Sequence, residues 1–257
     1  LKVQAWAQRE GLSEPYDLEI LCLSLDARLN LDAILHQRVN LVTRLADGRE
    51  HRRGGIVLKV ISEHAEGGFA SYRLFVSPWF SQLAYATCSR VWQNKSTVEI
   101  IDSILGMYDH AQWRWADDVA EHLLQSPMHN AQGQRSYCVQ YRETDLGFVH
   151  RLLTEEGLVY RFESVGDAPD ALVILADSIR ADSCPEDPSS ASLAGGPGIR
   201  FHRDAAVEPQ DVILAFGSRK RLIPHTVSAI GWNRETKRAI SAVIPTVIAF
   251  GERVPRL

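Results

Sequence analysis

The chain has 257 residues, 45% of them hydrophobic and 23% charged, with a formal net charge of -4. That length suits one large domain or two ordinary ones, and that balance suits a packed interior rather than bulk disorder. The mild acidity gives no general attraction to nucleic acid or to an anionic membrane, and no apolar run approaches the roughly 20 residues that span a bilayer.

The first residues, LKVQAWAQREG, lack a basic segment followed by an apolar core, so no cleavable leader is expected. Residues 1–89 read as β. Leu18 and Ile20 lie in one alternating phase and Leu21, Leu23 and Leu25 in the other, a flip that a β-bulge would reconcile. Val39, Leu41, Thr43 and Leu45 alternate with Arg38, Asn40, Val42 and Arg44, and the run ends at Asp47-Gly48, a strong turn signal. Ile56, Leu58 and Val60 form a second strand beginning after Gly54-Gly55, and Tyr72, Leu74 and Val76 a third, ended by Pro78. The predicted strands are Val39–Leu45, Ile56–Ile61 and Tyr72–Val76, and a closed or nearly closed antiparallel barrel is expected.

Residues 90–165 mix helix and strand. Ser96 and Glu99 form a capping box that opens a helix over Ser96–Leu105. Trp113, Trp115 and an amphipathic stretch at Asp118–Leu124 follow. Tyr137, Val139 and Tyr141 then alternate with Cys138 and Gln140 as in a half-buried strand. Thr144 or Asp145 caps a helix over 145–155 whose apolar face carries Leu146, Val149, Leu152 and Leu153. Gly157 stands where a helix closes in a left-handed residue, and Leu158, Tyr160 and Phe162 restart the alternation. Residues 166–257 return to strands at Leu172–Leu175, Val212–Phe216, Thr226–Trp232 and Arg238–Ile244, with a Ser/Pro/Gly-rich loop at Asp182–Gly198.

Catalytic and metal chemistries find little support. Cys22, Cys88, Cys138 and Cys184 are widely spaced and read as buried thiols of a reduced cytosolic protein. His122 and His129 would share a helix face, but Pro127 between them breaks that helix, and no zinc or calcium ligand spacing occurs. Adjacent Glu155 and Glu156 point about 100° apart on a helix and cannot face each other as an acid–base pair. Glu143 and Asp145 read as fixing the strand-to-helix turn through Arg142 or Arg151. No Gly-x-Ser-x-Gly elbow is present. The basic clusters Arg49–Arg53 and Ser218–Arg221 read as solvated hairpin tips, and Gly195–Gly198 lacks the Lys-Ser/Thr of a phosphate loop.

Apolar packing does not require Gln140, Arg142, Glu143, Asp145, Arg151, Glu155 and Glu156 at their positions. The run CVQYRETDLGFVHRLLTEEGLVYRF that carries them resembles the VgrG proteins, spikes of type VI secretion systems similar to the central hub of contractile phage tails. YRLFVSPWF at Tyr72–Phe80, RVWQNKSTVEIIDSIL at Arg90–Leu105 and the N-terminal EGLSEPYDLEI match the same family in order. His36 departs from it, standing where the family tends to place Gly, as do the loop Asp47–Gly55 without an aromatic and Trp232-Asn233.

The resemblance implies a mainly β chain with an α+β insertion, built on two similar antiparallel barrels of the phage tail hub kind. Residues 1–89 would form the first barrel, 90–165 the linking α+β segment and 166–257 the start of a second, truncated barrel. In the family that barrel runs beyond the equivalent of Leu257, and an oligonucleotide-fold domain and a β-prism needle follow, so a fragment or truncated copy is expected. The resemblance implies no enzyme activity and no cofactor, but a homotrimer mating with the hexameric Hcp tube, carrying effector or adaptor proteins, and secreted after cytoplasmic assembly. Neither nucleic acid nor membrane insertion is expected. The alternatives are a prophage contractile-tail hub and, from another class, a hydrolase effector. Arg90, Gln93, Gln140, Tyr141, Arg142, Glu143, Asp145 and Gly157 lie in the shared motifs and are expected to hold the central segment against the barrels through mutual hydrogen bonds.

Overall fold

A computed structural model describes residues 1–44, 48, 50–176, 200–201, 212–218, 226–233 and 236–245. The chain divides into two compact units, Leu1–Gly198 and Ile199–Leu257.

The first unit opens with β1 (Lys2–Gly11), β2 (Glu14–Ser24), β3 (Arg38–Arg44), β4 (Glu50–Glu66) and β5 (Phe69–Ser77). They form one antiparallel sheet in the order β1-β2-β5-β4-β3. The three predicted strands coincide with β3, β4 and β5, with Leu45 falling outside the described residues. The closed or nearly closed barrel expected here is a curled half-barrel sheet with β1 and β3 as its edges. The curl brings Arg53 of β4 over Trp6 of β1, its guanidinium carbon 4.5 Å from the ring centroid. Closure stops there because β1 is exposed on both faces and is interrupted by register shifts at Val3/Ala5 and Arg9/Gly11, which blunt an edge.

The expected bulge near Ile20 lies on the β1 side, where the register shifts between Val3↔Cys22 and Ala5↔Leu21, and not within β2 itself. β2 pairs with β5 without interruption from Leu18↔Val76 to Ser24↔Ala70. Cys22, not a leucine, continues the inward phase of Tyr16, Leu18 and Ile20, while Leu21 and Leu23 take the outer face half-buried. A free cysteine behaves as a small hydrophobe, so it carries the phase as a leucine would. The strand expected to begin after Gly54-Gly55 runs straight through them. A Cβ on Gly54 would lie 2.0 Å from the Val39 carbonyl oxygen and one on Gly55 2.2 Å from that of Ser77, so the two glycines let neighbouring strands approach.

His36, in the loop before β3, adopts φ 63, the left-handed region that glycine occupies freely. Its N–H donates to the Val57 carbonyl at 2.8 Å, and Val57 N–H donates back to Gln37 at 3.0 Å, which holds the strained residue in place. His36→Gly is therefore expected to stabilise the fold by about 0.5–1 kcal/mol, the relief of left-handed strain less the added freedom of the unfolded chain. Urea unfolding checks it, and a midpoint below that of the parent would contradict the account.

After β5 a 3-10 helix (Trp79–Tyr85) buries Trp79, Phe80 and Leu83. Then come β6 (Thr87–Lys95), α1 (Thr97–Leu105), β7 (Trp113–Trp115), α2 (Asp118–Leu124), β8 (Arg135–Thr144), α3 (Asp145–Glu156), β9 (Val159–Val165) and β10 (Ala168–Leu175). Both halves of the Ser96 capping box are made, Glu99 N–H donating to Ser96 Oγ at 3.1 Å and Ser96 N–H to Glu99 Oε2 at 2.8 Å. α1 and α3 bury Ile100, Ile104, Phe148 and Leu152 in a common core with the 3-10 helix. Strand β10 lies centrally between β7 and β9 in the order β7-β10-β9. Every residue of it is buried, and its continuous apolar run Ala171–Leu175 is what a strand covered on both faces needs. Phe162 of β9 packs against both this helical core and the core of the curled sheet, edge-on to Tyr16 at 5.2 Å between centroids.

Gly157 closes α3 with φ 69 and ψ 24. A Cβ there would meet only His122 Nε2, at 3.8 Å, so a substitution is penalised by conformation rather than collision. Gly157→Val is expected to cost on the order of 1–2 kcal/mol or more, read by thermal unfolding, and a variant as stable as the parent would refute the left-handed closure.

Cys22 and Cys138 are buried free thiols as expected, but Cys88, opposite Glu143 beside a bulge in β8, is only half-buried, and Cys184 falls outside the described residues. In the second unit the described residues form a short parallel pair, β11 (Arg200–Phe201) with β12 (Val212–Ile213), and an antiparallel pair, β13 (Thr226–Asn233) with β14 (Arg238–Pro245). The strand expected over Val212–Phe216 ends at Ile213. The loop Asp182–Gly198 and most of what a second barrel would need lie outside the described residues.

Candidate functional site

The polar cluster predicted around α3 resolves into two buried nodes, one at each end of that helix. At its N-terminus Asp145 is 1% exposed and accepts four hydrogen bonds. Arg90 Nη1 and Gln140 Nε2 donate to Oδ1 at 2.6 and 2.7 Å, while Tyr108 Oη and Arg90 Nη2 donate to Oδ2 at 2.8 and 3.5 Å. Burial pushes the Asp145 carboxyl up in pKa, but the donors from Arg90, Gln140 and Tyr108 outweigh it and hold the group below the usual carboxylate range. The helix N-terminus adds favourable partial charge. Gln140, 0% exposed, completes its bonding by donating to the Glu143 carbonyl at 3.1 Å and accepting from Arg90 at 3.0 Å.

The C-terminal node places a carboxylate where the helix dipole opposes it, and more donors gather there. Glu156 Oε1 accepts from Thr97 Oγ1 at 2.6 Å and Arg135 Nη2 at 2.5 Å, Oε2 accepts from Ser126 Oγ at 2.5 Å, and His129 Nε2 lies 3.2 Å from Oε1. Burial raises the Glu156 pKa, yet the bonds from Ser126, Thr97 and Arg135 prevail and lower it. Thr97 spends its proton on Glu156 and accepts from Arg135 Nε at 2.9 Å, so His129 Nε2, 2.9 Å from Thr97 Oγ1, carries a proton. A carbonyl can only accept, so His122 Nε2, 2.6 Å from the Glu156 carbonyl, is the donor of that bond. The two histidines separated by Pro127 thus meet the same helix end from the loop after α2 and from α2 itself.

Between the nodes Arg151 binds Glu143 at 3.0 Å and Glu155 at 3.0 Å, and Arg135 Nη1 donates to Glu155 at 2.6 Å. A separate buried carboxylate, Asp170 on β10, accepts from Arg38 on β3 at 2.6 Å and from the Trp79 N–H at 2.9 Å. It ties the curled sheet to the helical layer.

Of the residues expected to act together, Arg90, Gln140, Glu143 and Asp145 do so, and Gly157 ends the helix they hold. Gln93, Tyr141 and Arg142 do not join them. All three are exposed, because β8 presents the opposite phase from the one its apolar residues suggested. Cys138 and Gln140 face inward, while Tyr137 and Tyr141 face out at 58% and 65% exposure. Arg142 is the extra residue of a bulge between Cys88↔Glu143 and Ser89↔Tyr141, with φ 52. Its guanidinium lies over the Tyr141 ring at 5.4 Å. Sequence reasoning missed Arg135, Thr97, Ser126 and Tyr108. One signal for the C-terminal node existed, since only one of Glu155 and Glu156 can face outward on a helix packed along that side.

Both carboxylates are buried and each accepts four hydrogen bonds from neighbouring side chains, so their charge is neutralised inside the fold. Among the described residues no group of three or more His, Cys, Asp and Glu side chains could hold a metal ion, and no helix is long and apolar enough to cross a membrane. The arrangement clamps a helix.

A family model described as phage tail baseplate hub (GPD) matches residues 9–243. The type VI secretion system spike protein VgrG1b of Pseudomonas aeruginosa is 30% identical over 196 residues, 75% of this chain and 24% of that protein. The spike protein VgrG3 of Vibrio cholerae is 32% identical over 177 residues, 68% of this chain and 15% of that protein. The chain thus spans less than a quarter of the length of either relative. Among solved structures, an E. coli component of the type VI secretion system, described as structurally similar to T4 bacteriophage tail proteins gp27 and gp5, aligns with a TM-score of 0.58 at 21% identity. That alignment covers 75% of this chain and 49% of the other, and the likeness is one of fold.

Proposed function

This chain belongs to the phage tail baseplate hub (GPD) family, and from that premise we propose that it is the hub portion of a type VI secretion spike. The observation that carries the reading is the match over residues 9–243 together with VgrG spike relatives aligned along three quarters of the chain. In this reading three copies surround an axis as a homotrimer, the ring seats on the hexameric Hcp tube, and tube and spike leave the cell together when a sheath contracts. Effector or adaptor proteins would travel on it. The role is mechanical, and the buried, internally bonded carboxylates of the α3 clamp favour a structural over a catalytic use of the buried charges.

The test is binding to purified Hcp rings, followed by co-sedimentation and native mass spectrometry. Three chains per six Hcp subunits is the expected stoichiometry. A chain that ignores Hcp and instead sediments with contractile phage tube rings would support the prophage hub alternative, which the family description favours as a second reading. Binding to neither would remove the docking role.

A further inference from the structure

The outer face of β8 inverts the usual order of a half-buried strand, with aromatic and aliphatic groups outside and an amide and a thiol inside, while Trp92 of β6 packs inward against the helical core. Tyr137, Val139 and Tyr141 of β8 lie beside Gln93, Val91 and Ser89 of β6. None of these six carries a charge. Arg142 stands at one end, turned out by a bulge whose left-handed backbone an arginine does not favour, with its guanidinium over Tyr141. Tyrosine and arginine grouped in this way are the residues that dominate binding energy at protein contacts. The face is only two strands wide. Its tyrosines, at 58% and 65% exposure, offer roughly 250 Å² between them if a bare ring side chain presents about 200 Å². That is well short of the approximately 800 Å² per partner of a broad interface, so the face suits a narrow occupant such as a hairpin tip.

The same chain carries such a tip. Between β1 and β2, Leu12 is exposed and flanked by the exposed carboxylates Glu10 and Glu14. The tip is held rigidly, Ser13 N–H donating to the Tyr160 carbonyl at 2.8 Å and Tyr160 N–H to Ser13 Oγ at 3.4 Å. Helix α3 separates tip from face. Tyr160 beneath the tip stacks on His150, and Trp92 beneath the face stacks on Phe148.

We propose that the β6–β8 face is the socket for a second copy of this chain, filled by the acid-flanked Leu12 tip of its neighbour with Glu14 on Arg142. A tip and a socket on different parts of one chain make a head-to-tail contact, the kind that closes into a ring when the rotation allows. The proposal rests on the hub reading only for that ring of like copies. The charge complementarity favours a copy of this chain over a basic partner, because the socket holds no carboxylate.

The test is a charge swap in the full chain, followed by sedimentation equilibrium from micromolar to submillimolar concentration. Arg142→Glu and Glu14→Arg should each weaken self-association by about tenfold or more, and the two together should restore it to within about threefold of the parent. Both side chains are exposed and outside the buried nodes, and circular dichroism melts confirm that each variant is folded. A parent that stays monomeric throughout overturns the proposal, as does self-association indifferent to either single change or a double variant that fails to recover. Assembly that survives all three variants would discard the socket and leave the Hcp-binding reading intact. Loss of Hcp binding by a parent that still assembles through the socket would do the reverse.

Discussion

Replacing Glu156 by Ala is expected to destabilise the first unit by about 3–5 kcal/mol, the loss seen when one partner of a buried ion pair is removed. The side chains of Arg135 and Glu156 are 6% and 0% exposed, so the guanidinium left behind cannot recover its solvation by a small movement. Thr97 and Ser126 would each lose the acceptor of their hydroxyl proton as well. Glu155 lies 2.6 Å from Arg135 and offers partial compensation, which places the effect below that of a fully orphaned charge. Guanidinium unfolding with a midpoint within 1 kcal/mol of the parent, about the size of an exposed pair, would show that the node does not act as a buried one. The isosteric Glu156→Gln keeps the volume and should fall between the two.

Asp145→Ala is expected to cost about 3 kcal/mol, slightly less because a quarter of the Arg90 side chain already reaches water. Gln140, with no exposure, and Tyr108 lose their shared acceptor, and the first turn of α3 loses its negative charge. The pH dependence has a definite sign. The Asp145 pKa is depressed in the folded chain, so the proton binds the unfolded state first. The stabilisation is therefore complete above the unfolded carboxyl pKa near 4 and disappears as pH falls through the lower folded value. Glu156 is depressed in the same sense and adds to the same acid limb. Asp145→Ala should thus flatten the loss of stability below about pH 4 compared with the parent, and an unchanged acid limb would argue against an ionised buried Asp145.

Much of the local structure was legible because its causes are local. Alternation located β3, β4 and β5, the Ser96–Glu99 box opened α1, and Gly157 closed α3 where helix geometry asks for a left-handed residue. Period two says which residues of a strand share a face, but it does not say which face is covered. In β8 hydrophobicity pointed to Tyr137 and Tyr141, yet the decision belonged to Asp145, whose buried carboxylate needs the Gln140 amide. In β2 the leucines Leu21 and Leu23 carry the stronger apolar signal, although the small thiol of Cys22, opposite Tyr72, takes the buried side. The Glu156 node left no local signature, because Thr97 and Ser126 stand 59 and 30 positions away in sequence. Arg38 and Asp170, 132 apart, could not have been paired from composition or spacing at all. Alternation could not decide between a closed and a nearly closed barrel for a related reason, since edges are decided by what a strand lacks on one side.

Phe162 has one ring in two interiors. It touches the aromatic group around Phe80 and Tyr160 and also the Tyr16 ring within the curled sheet. A side chain shared in this way makes neither layer an independent melting unit, since breathing in one strips contacts from the other. Hydrogen exchange in β2 and in α3 should therefore proceed through a common opening, and a perturbation at either layer is registered by the amides of both.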